Sequence, residues 1–217
     1  MRAFNLELAA RVADSHARDV FPLLIGGDCS VLLGALAGGR RAGGIALLHG
    51  DGHSDFRHPG NDAAAQSLGA VAGMDLALAT GRGEALMTQW PDVNDTAIMR
   101  IDVFDANAAG PAAVARRINA VPDRAEPRRF WLHLDVDVLD QASMPAVDSP
   151  GSPGIAPEAL LSILRAVRNG GRCCGMTVTV FDPDKDPDGR CAALLVTLLG
   201  QLFAPAQASG RMADMLV

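Results

Sequence analysis

The sequence predicts an α/β protein: a parallel sheet with helices on both faces. Short aliphatic or β-branched runs alternate with longer stretches whose apolar residues recur at helical spacing. Alternation of strand and helix is the pattern of parallel sheets, whose strands need crossover connections. The two most acidic segments each follow an apolar run, and in such sheets functional groups gather at the carboxyl ends of strands. The chain has 217 residues, of which 49% are hydrophobic. That supports one substantial core, so a single domain over residues 1–217 is expected.

Asn5–Arg18 carries apolar residues at helical spacing. Phe21–Ile25 reads as a strand that ends at Gly26-Gly27-Asp28, and Cys29–Leu36 starts a helix after that glycine turn. Ile45–Leu48 is a second strand, running into the first acidic cluster. Gly73–Thr80 reads as helix, Thr96–Val103 as a third strand and Pro111–Ala120 as helix. Phe130–Val138 is a fourth strand and contains the second acidic cluster. Pro157–Arg168 is helical, with Pro157 and Glu158 suited to a first turn. Met176–Phe181 is a fifth strand and Asp188–Phe203 a last helix. Ala106–Gly110 and Pro122–Pro127 read as loops. Ser143–Pro157 is long, rich in Pro, Gly and Ser and without periodicity, the signature of a functional loop.

Composition excludes several classes of function. The 25 acidic residues outnumber the 19 basic ones, for a net charge of −6, and no basic stripe offers a nucleic-acid surface. No apolar run reaches the ~20 residues of a membrane span, and the N-terminal residues lack a signal-peptide pattern. The cysteines (Cys29, Cys173, Cys174 and Cys191) show no CxxC spacing, which argues against a disulfide framework and for a reducing cytoplasm. Tyrosine is absent, so no catalytic tyrosine is available.

His49–Asp55 reads His-Gly-Asp-Gly-His-Ser-Asp, and His133–Asp137 reads His-Leu-Asp-Val-Asp. Residues two apart on a strand share a face. The expectation is therefore that Asp51, His53 and Asp55 converge, and likewise His133, Asp135 and Asp137. Crowded carboxylates repel one another unless cations lie between them. The four acids Asp51, Asp55, Asp135 and Asp137 would balance two divalent ions. Mixed carboxylate and imidazole ligation suits Mn, Fe, Co or Zn better than Ca. Two such ions about 3.5–4 Å apart lower the pKa of a shared water and make it a nucleophile at neutral pH.

Three ordered motifs, Gly-Gly-Asp-Cys-Ser (Gly26–Ser30), Asp-Gly-His-Ser-Asp (Asp51–Asp55) and Asp-Val-Asp-Val-Leu-Asp (Asp135–Asp140), resemble those of the arginase/agmatinase/formimidoylglutamase family, the ureohydrolases. A Ser-Pro-Gly loop and the Phe181–Asp186 stretch are similar as well. The resemblance implies a three-layer α/β/α fold with a central, mostly parallel sheet, shortened here at the N-terminus. It implies a metal-dependent hydrolase of linear amidines and guanidino compounds, cleaving a C–N bond with metal-activated hydroxide. The ligands it implies are Cys29, Asp51, His53, Asp55, Asp135 and Asp137, with Asp51 and Asp135 bridging and Asp55 and Asp137 also catalytic. Asp28, His133 and Asp140 would support those ligands from behind. The cofactor implied is two Mn2+, with Zn, Fe, Co or Ni as alternatives because Cys29 stands where the family usually has His. The partners implied are a small guanidino or amidino substrate and copies of this chain in a trimer or hexamer.

Three departures leave alternatives open. Cys29 is either a thiolate ligand or a buried neutral thiol. The stretch Ala72-Gly73-Met74-Asp75-Leu76 has Ala72 where the family often has a proton-shuttling His, leaving His49, His58 and His133 as substitutes, each with an ordinary structural reading. Thr177–Val180 holds no carboxylate where the family grips the guanidinium, so no substrate-binding residue is assigned. Ser143–Pro157 and Asn61–Ala70 are expected to line the mouth of the site with mostly small, uncharged side chains, among them Ser149 and Ser152, with Arg57 as the exception. These departures motivate the alternative of a non-catalytic or regulatory protein on the same fold that binds metal or a guanidino ligand.

Overall fold

A computed structural model of the protein describes residues 1–58, 60–61, 71–88, 97–120 and 129–205. Among these residues, five parallel strands join one sheet: β1 (Leu23–Ile25), β2 (Ile45–Gly50), β3 (Ile98–Ile101), β4 (Arg129–Asp135) and β5 (Cys173–Thr179), in the order β1-β5-β4-β2-β3. The helices are α1 (Arg2–Ala17), α2 (Leu32–Arg41), α3 (Asp75–Ala79), α4 (Ala85–Thr88), α5 (Val103–Ala109), α6 (Pro111–Asn119), α7 (Pro157–Asn169) and α8 (Arg190–Phe203).

The alternation of side chains along each strand splits the core in two, one cluster per sheet face. Ile45 and Leu47 of β2 and Trp131 of β4 pack with Leu32, Leu33 and Leu36 of α2 and Val12 of α1. Ala46, Leu48, Phe130, Leu132, Leu134, Met176 and Val178 face the other way, toward α5–α8. Helices therefore cover both faces, giving the three-layer α/β/α arrangement. Trp131 fits against the sheet because its neighbour on β5 is Gly175, where a Cβ would lie 2.1 Å from the indole.

Several expected boundaries move. Ala106–Gly110 is not a loop. Asp102 caps α5 by accepting a hydrogen bond from the Asp105 N–H at 3.0 Å, and the helix runs to Gly110, whose φ of 78° only glycine adopts readily. The fourth strand ends at Asp135, and Val136–Val138 form a 3-10 turn. The third strand is shorter than Thr96–Val103, and Thr96 lies outside the described residues, as do Pro122–Pro127 and the Asn61–Ala70 segment beyond Asn61. Among the described residues, no helix is long and apolar enough to cross a membrane.

Candidate metal centre

From β2 the chain moves on to β3, on one side of the sheet; from β4 it moves on to β5, on the other. Adjacent strands whose connections diverge leave a crevice beyond their carboxyl ends. Both acidic clusters open into it, but strand alternation does not bring them together. β2 ends at Gly50, one residue before Asp51, and Asp137 lies in the 3-10 turn beyond β4. Two local turns do the work instead. The His53 N–H donates to Asp51 Oδ1 at 2.6 Å, and the Asp137 N–H donates to Asp135 Oδ1 at 2.9 Å. Each Asp folds its own downstream backbone inward, the Asx-turn habit of this side chain.

Contacts between the two segments complete the mouth of the site. His53 Nδ1 lies 2.9 Å from Asp137 Oδ2, and the Gly52 N–H donates to Asp137 Oδ1 at 3.0 Å. Asp55 holds the left-handed backbone (φ 43°), which Asp tolerates better than most residues. Cys29 arrives from the turn after β1, where Asp28 accepts from the Ser30 N–H at 2.9 Å. The Cys29 thiol donates to Asp135 Oδ2 at 2.9 Å and lies 3.2 Å from Thr179 Oγ1. A cavity of about 370 Å3 opens onto Cys29, His53, Asp55, Asp135 and Asp137, with Asp51 nearly sealed behind them.

The electrostatics of this cluster call for positive charge. Burial, then the Asp55 and Asp137 carboxylates, push the Asp51 carboxyl up to about 9. Burial and Asp137 push Asp55 up to about 6. Asp135 is raised well above the carboxylate range by burial and by Asp137 and Asp51. Burial, with Asp135 and Asp75 beside it, also raises the Cys29 thiol. Asp51 Oδ2 is buried with no hydrogen-bond partner among the described residues. A divalent cation would remove these conflicts at once, since it satisfies orphaned oxygens and favours the ionised carboxylates. Asp51, His53 and Asp137 already offer donor atoms within 4.8 Å of one another, as do Cys29, Asp51 and His133.

The supporting residues differ in how they act. Asp28 is exposed and reaches the site only through the backbone of the Cys29 turn. Asp140 touches none of the candidate ligands. It accepts from the Ala142 and Gly154 N–H groups and the Ser152 hydroxyl, which holds its carboxyl below the usual range and folds the loop that follows. His133 is fully buried, and Nδ1 lies 2.7 Å from Thr177 Oγ1. His58 stays in its own turn, where Nδ1 accepts from the Gly60 N–H.

Two carboxylates emerge that motif reading passed over. Asp148, from the loop expected to be mostly uncharged, lines the cavity beside the expected Ser149, with Arg57, Ala72 and Val180. Asp75 is fully buried at the start of α3, against His49 and His133. Its signal in the sequence was an acid set among residues that all prove buried, Leu76 to Ala79.

Fold and site together define an α/β/α protein with a candidate metal centre at the switch point of its sheet. The chain belongs to the arginase family, whose model matches residues 2–204. It is 27% identical over 211 residues to a formimidoylglutamase of Aeromonas hydrophila, covering 90% of this chain and 66% of that protein. The chain thus spans just under two thirds of that relative's length. Among solved structures it is similar to arginase from Bacillus subtilis, with a TM-score of 0.82, 20% identity and coverage of 94% of this chain and 80% of that one. It is also similar to Trypanosoma cruzi formiminoglutamase solved with Mn2+, with a TM-score of 0.70, 18% identity and coverage of 93% and 70%.

Proposed function

We propose that the chain is a metal-dependent hydrolase that cleaves a C–N bond in a small linear amidine or guanidino compound. The observation that carries this is the convergence of acidic, imidazole and thiol donors from three separate segments on one cavity at the switch point. Cys29, Asp51, His53, Asp55, Asp135 and Asp137 would hold two divalent ions. Mn2+ is favoured by the resemblance, and Zn2+, Co2+, Ni2+ or Fe2+ are alternatives suited to a thiol ligand. Bound there, such ions supply Lewis acidity and make water nucleophilic at neutral pH.

The chain's own residues would do the rest. Asp55 lines the cavity and would take the proton that the attacking water gives up. The same carboxyl would return it to the amine as the C–N bond breaks. Asp137 would keep His53 turned toward the centre through the 2.9 Å contact at Nδ1. Asp148 would face the cationic amidinium or guanidinium group, with Ser149 as a further polar partner, in place of the carboxylate missing from Thr177–Val180. A homo-oligomer, trimer or hexamer, in the cytoplasm completes the reading; the described free cysteines suit that compartment.

A second reading, a non-catalytic protein that binds metal or a guanidino ligand, is favoured by Ala72, Gly73 and Val180, which line the cavity with no titratable group. Urea or ammonia release from arginine, agmatine, guanidinobutyrate and formimidoylglutamate, measured after loading with Mn2+ or Co2+, separates the two. Turnover of any of them supports the hydrolase. Metal binding without turnover on any of them rejects it in favour of the second reading.

A further inference from the structure

Behind the cavity, against the sheet, lies a second set of donors. His49 of β2 and His133 of β4 are paired in register, and their rings stack with centroids 5.2 Å apart. Asp75 approaches both rings. Its Oδ1 is 3.8 Å from His49 Nε2 and its Oδ2 is 3.7 Å from His133 Nε2. Asp51 Oδ2 is 3.6 Å from His49 Nε2. His49, Asp75 and His133 are each 0% exposed, and none of these five atoms has a hydrogen-bond partner among the described residues.

Such spacing is too wide for hydrogen bonds, which need about 2.7–3.2 Å. It is close to the distance between two ligands of one ion, about 3.3 Å on a tetrahedral edge when each ligand lies about 2.0 Å from the metal. Buried polar atoms left unpaired are costly, and the donor atoms of His49, Asp75 and His133 lie within 4.8 Å of one another, around a point that an occupant would satisfy. In the tautomer whose Nδ1–H donates to Thr177 Oγ1 across the 2.7 Å contact, His133 presents the Nε2 lone pair to that point.

We infer that His49 Nε2, His133 Nε2 and Asp75 form an enclosed site for one transition-metal ion, set behind the cavity centre, with Asp51 Oδ2 beside His49 between the two. Two imidazoles and one carboxylate make a ligand set that suits Zn2+ or Co2+. The ion would tie β2, β4 and α3 together and fix Asp51 from behind. It does not depend on which substrate, if any, the cavity takes.

The test is metal counting and histidine NMR on the full chain, stripped with chelator and reloaded with Zn2+. In the wild type, one equivalent should survive a brief exposure to EDTA, and 15N signals of two histidines other than His53 should shift as it binds. Asp75→Asn should lose that equivalent. A His53→Ala/Asp137→Asn double variant should keep it while losing cavity metal. Should the cavity reading fail instead, the double variant would lose no metal and the protected equivalent would remain. Retention of the protected equivalent by Asp75→Asn overturns the inference, as does its loss from the double variant. So does Zn2+ binding to the wild type that shifts His53 alone, a result that needs no variant to fold.

Discussion

Removing metal should make this protein lose stability as the solution becomes more alkaline. The Asp51 carboxyl sits at about 9 in the folded, metal-free chain, against an ordinary 3.8. Between those values the folded state holds a proton that the unfolded state has released, so stability falls as pH rises. One such proton is worth about 1.4 kcal/mol per pH unit. From pH 6.5 to 8.5, Asp51 alone therefore costs about 3 kcal/mol, with Asp75 and Asp135, both raised well above the carboxylate range, acting in the same direction. Below that interval His49 and His133 act oppositely. Burial lowers both, His133 to about 3, so their contribution is lost as pH falls below about 6.5. For a chain of this size, about 3 kcal/mol corresponds to about 6–12 °C in Tm. Calorimetry in EDTA at pH 6.5 and 8.5 measures it, with a parallel series in saturating Mn2+ or Co2+, where the ion replaces the protons and the fall should vanish. A metal-free Tm that is flat or rising over that interval would contradict a proton held on Asp51, as would an equal fall with metal bound.

Gly52→Ala should weaken binding of Mn2+ by about 1–3 kcal/mol in calorimetric titration, because the new Cβ would lie 2.7 Å from the Asp137 carbonyl and push the Asp51–Asp55 segment outward. Gly175→Ala should lower the urea midpoint by the equivalent of about 1–3 kcal/mol, since its Cβ meets the Trp131 ring in a filled core. Asp148→Asn should raise KM for a cationic amidine about 10- to 100-fold, the worth of one charge-assisted hydrogen bond, while metal content measured by mass spectrometry stays constant.

The order of strands and helices was legible because it rests on local periodicity, and the errors fell where a short-range signal was overlooked. Asp102 announces the helix through Ala106, yet the small residues after it resemble a loop. The acids of the mouth were legible because Asp51 and Asp135 organise their own turns through hydrogen bonds two residues long. His49, His133 and Asp75 were harder, because each has an ordinary core reading when taken alone. Only the pairing of β2 with β4 puts the two rings face to face.

By itself the sequence determined the fold class, the two acidic segments and the family resemblance, all of which rest on residues close together in the chain. Tertiary structure decided how the segments meet: through turns beyond the strand ends, with Cys29 against Asp135 and Asp148 across the cavity. It also decided that Asp75 lies 3.7–3.8 Å from two buried imidazoles. Burial and charge crowding arise between residues far apart in the chain, so the perturbed carboxylates became visible only once sheet order and register were known.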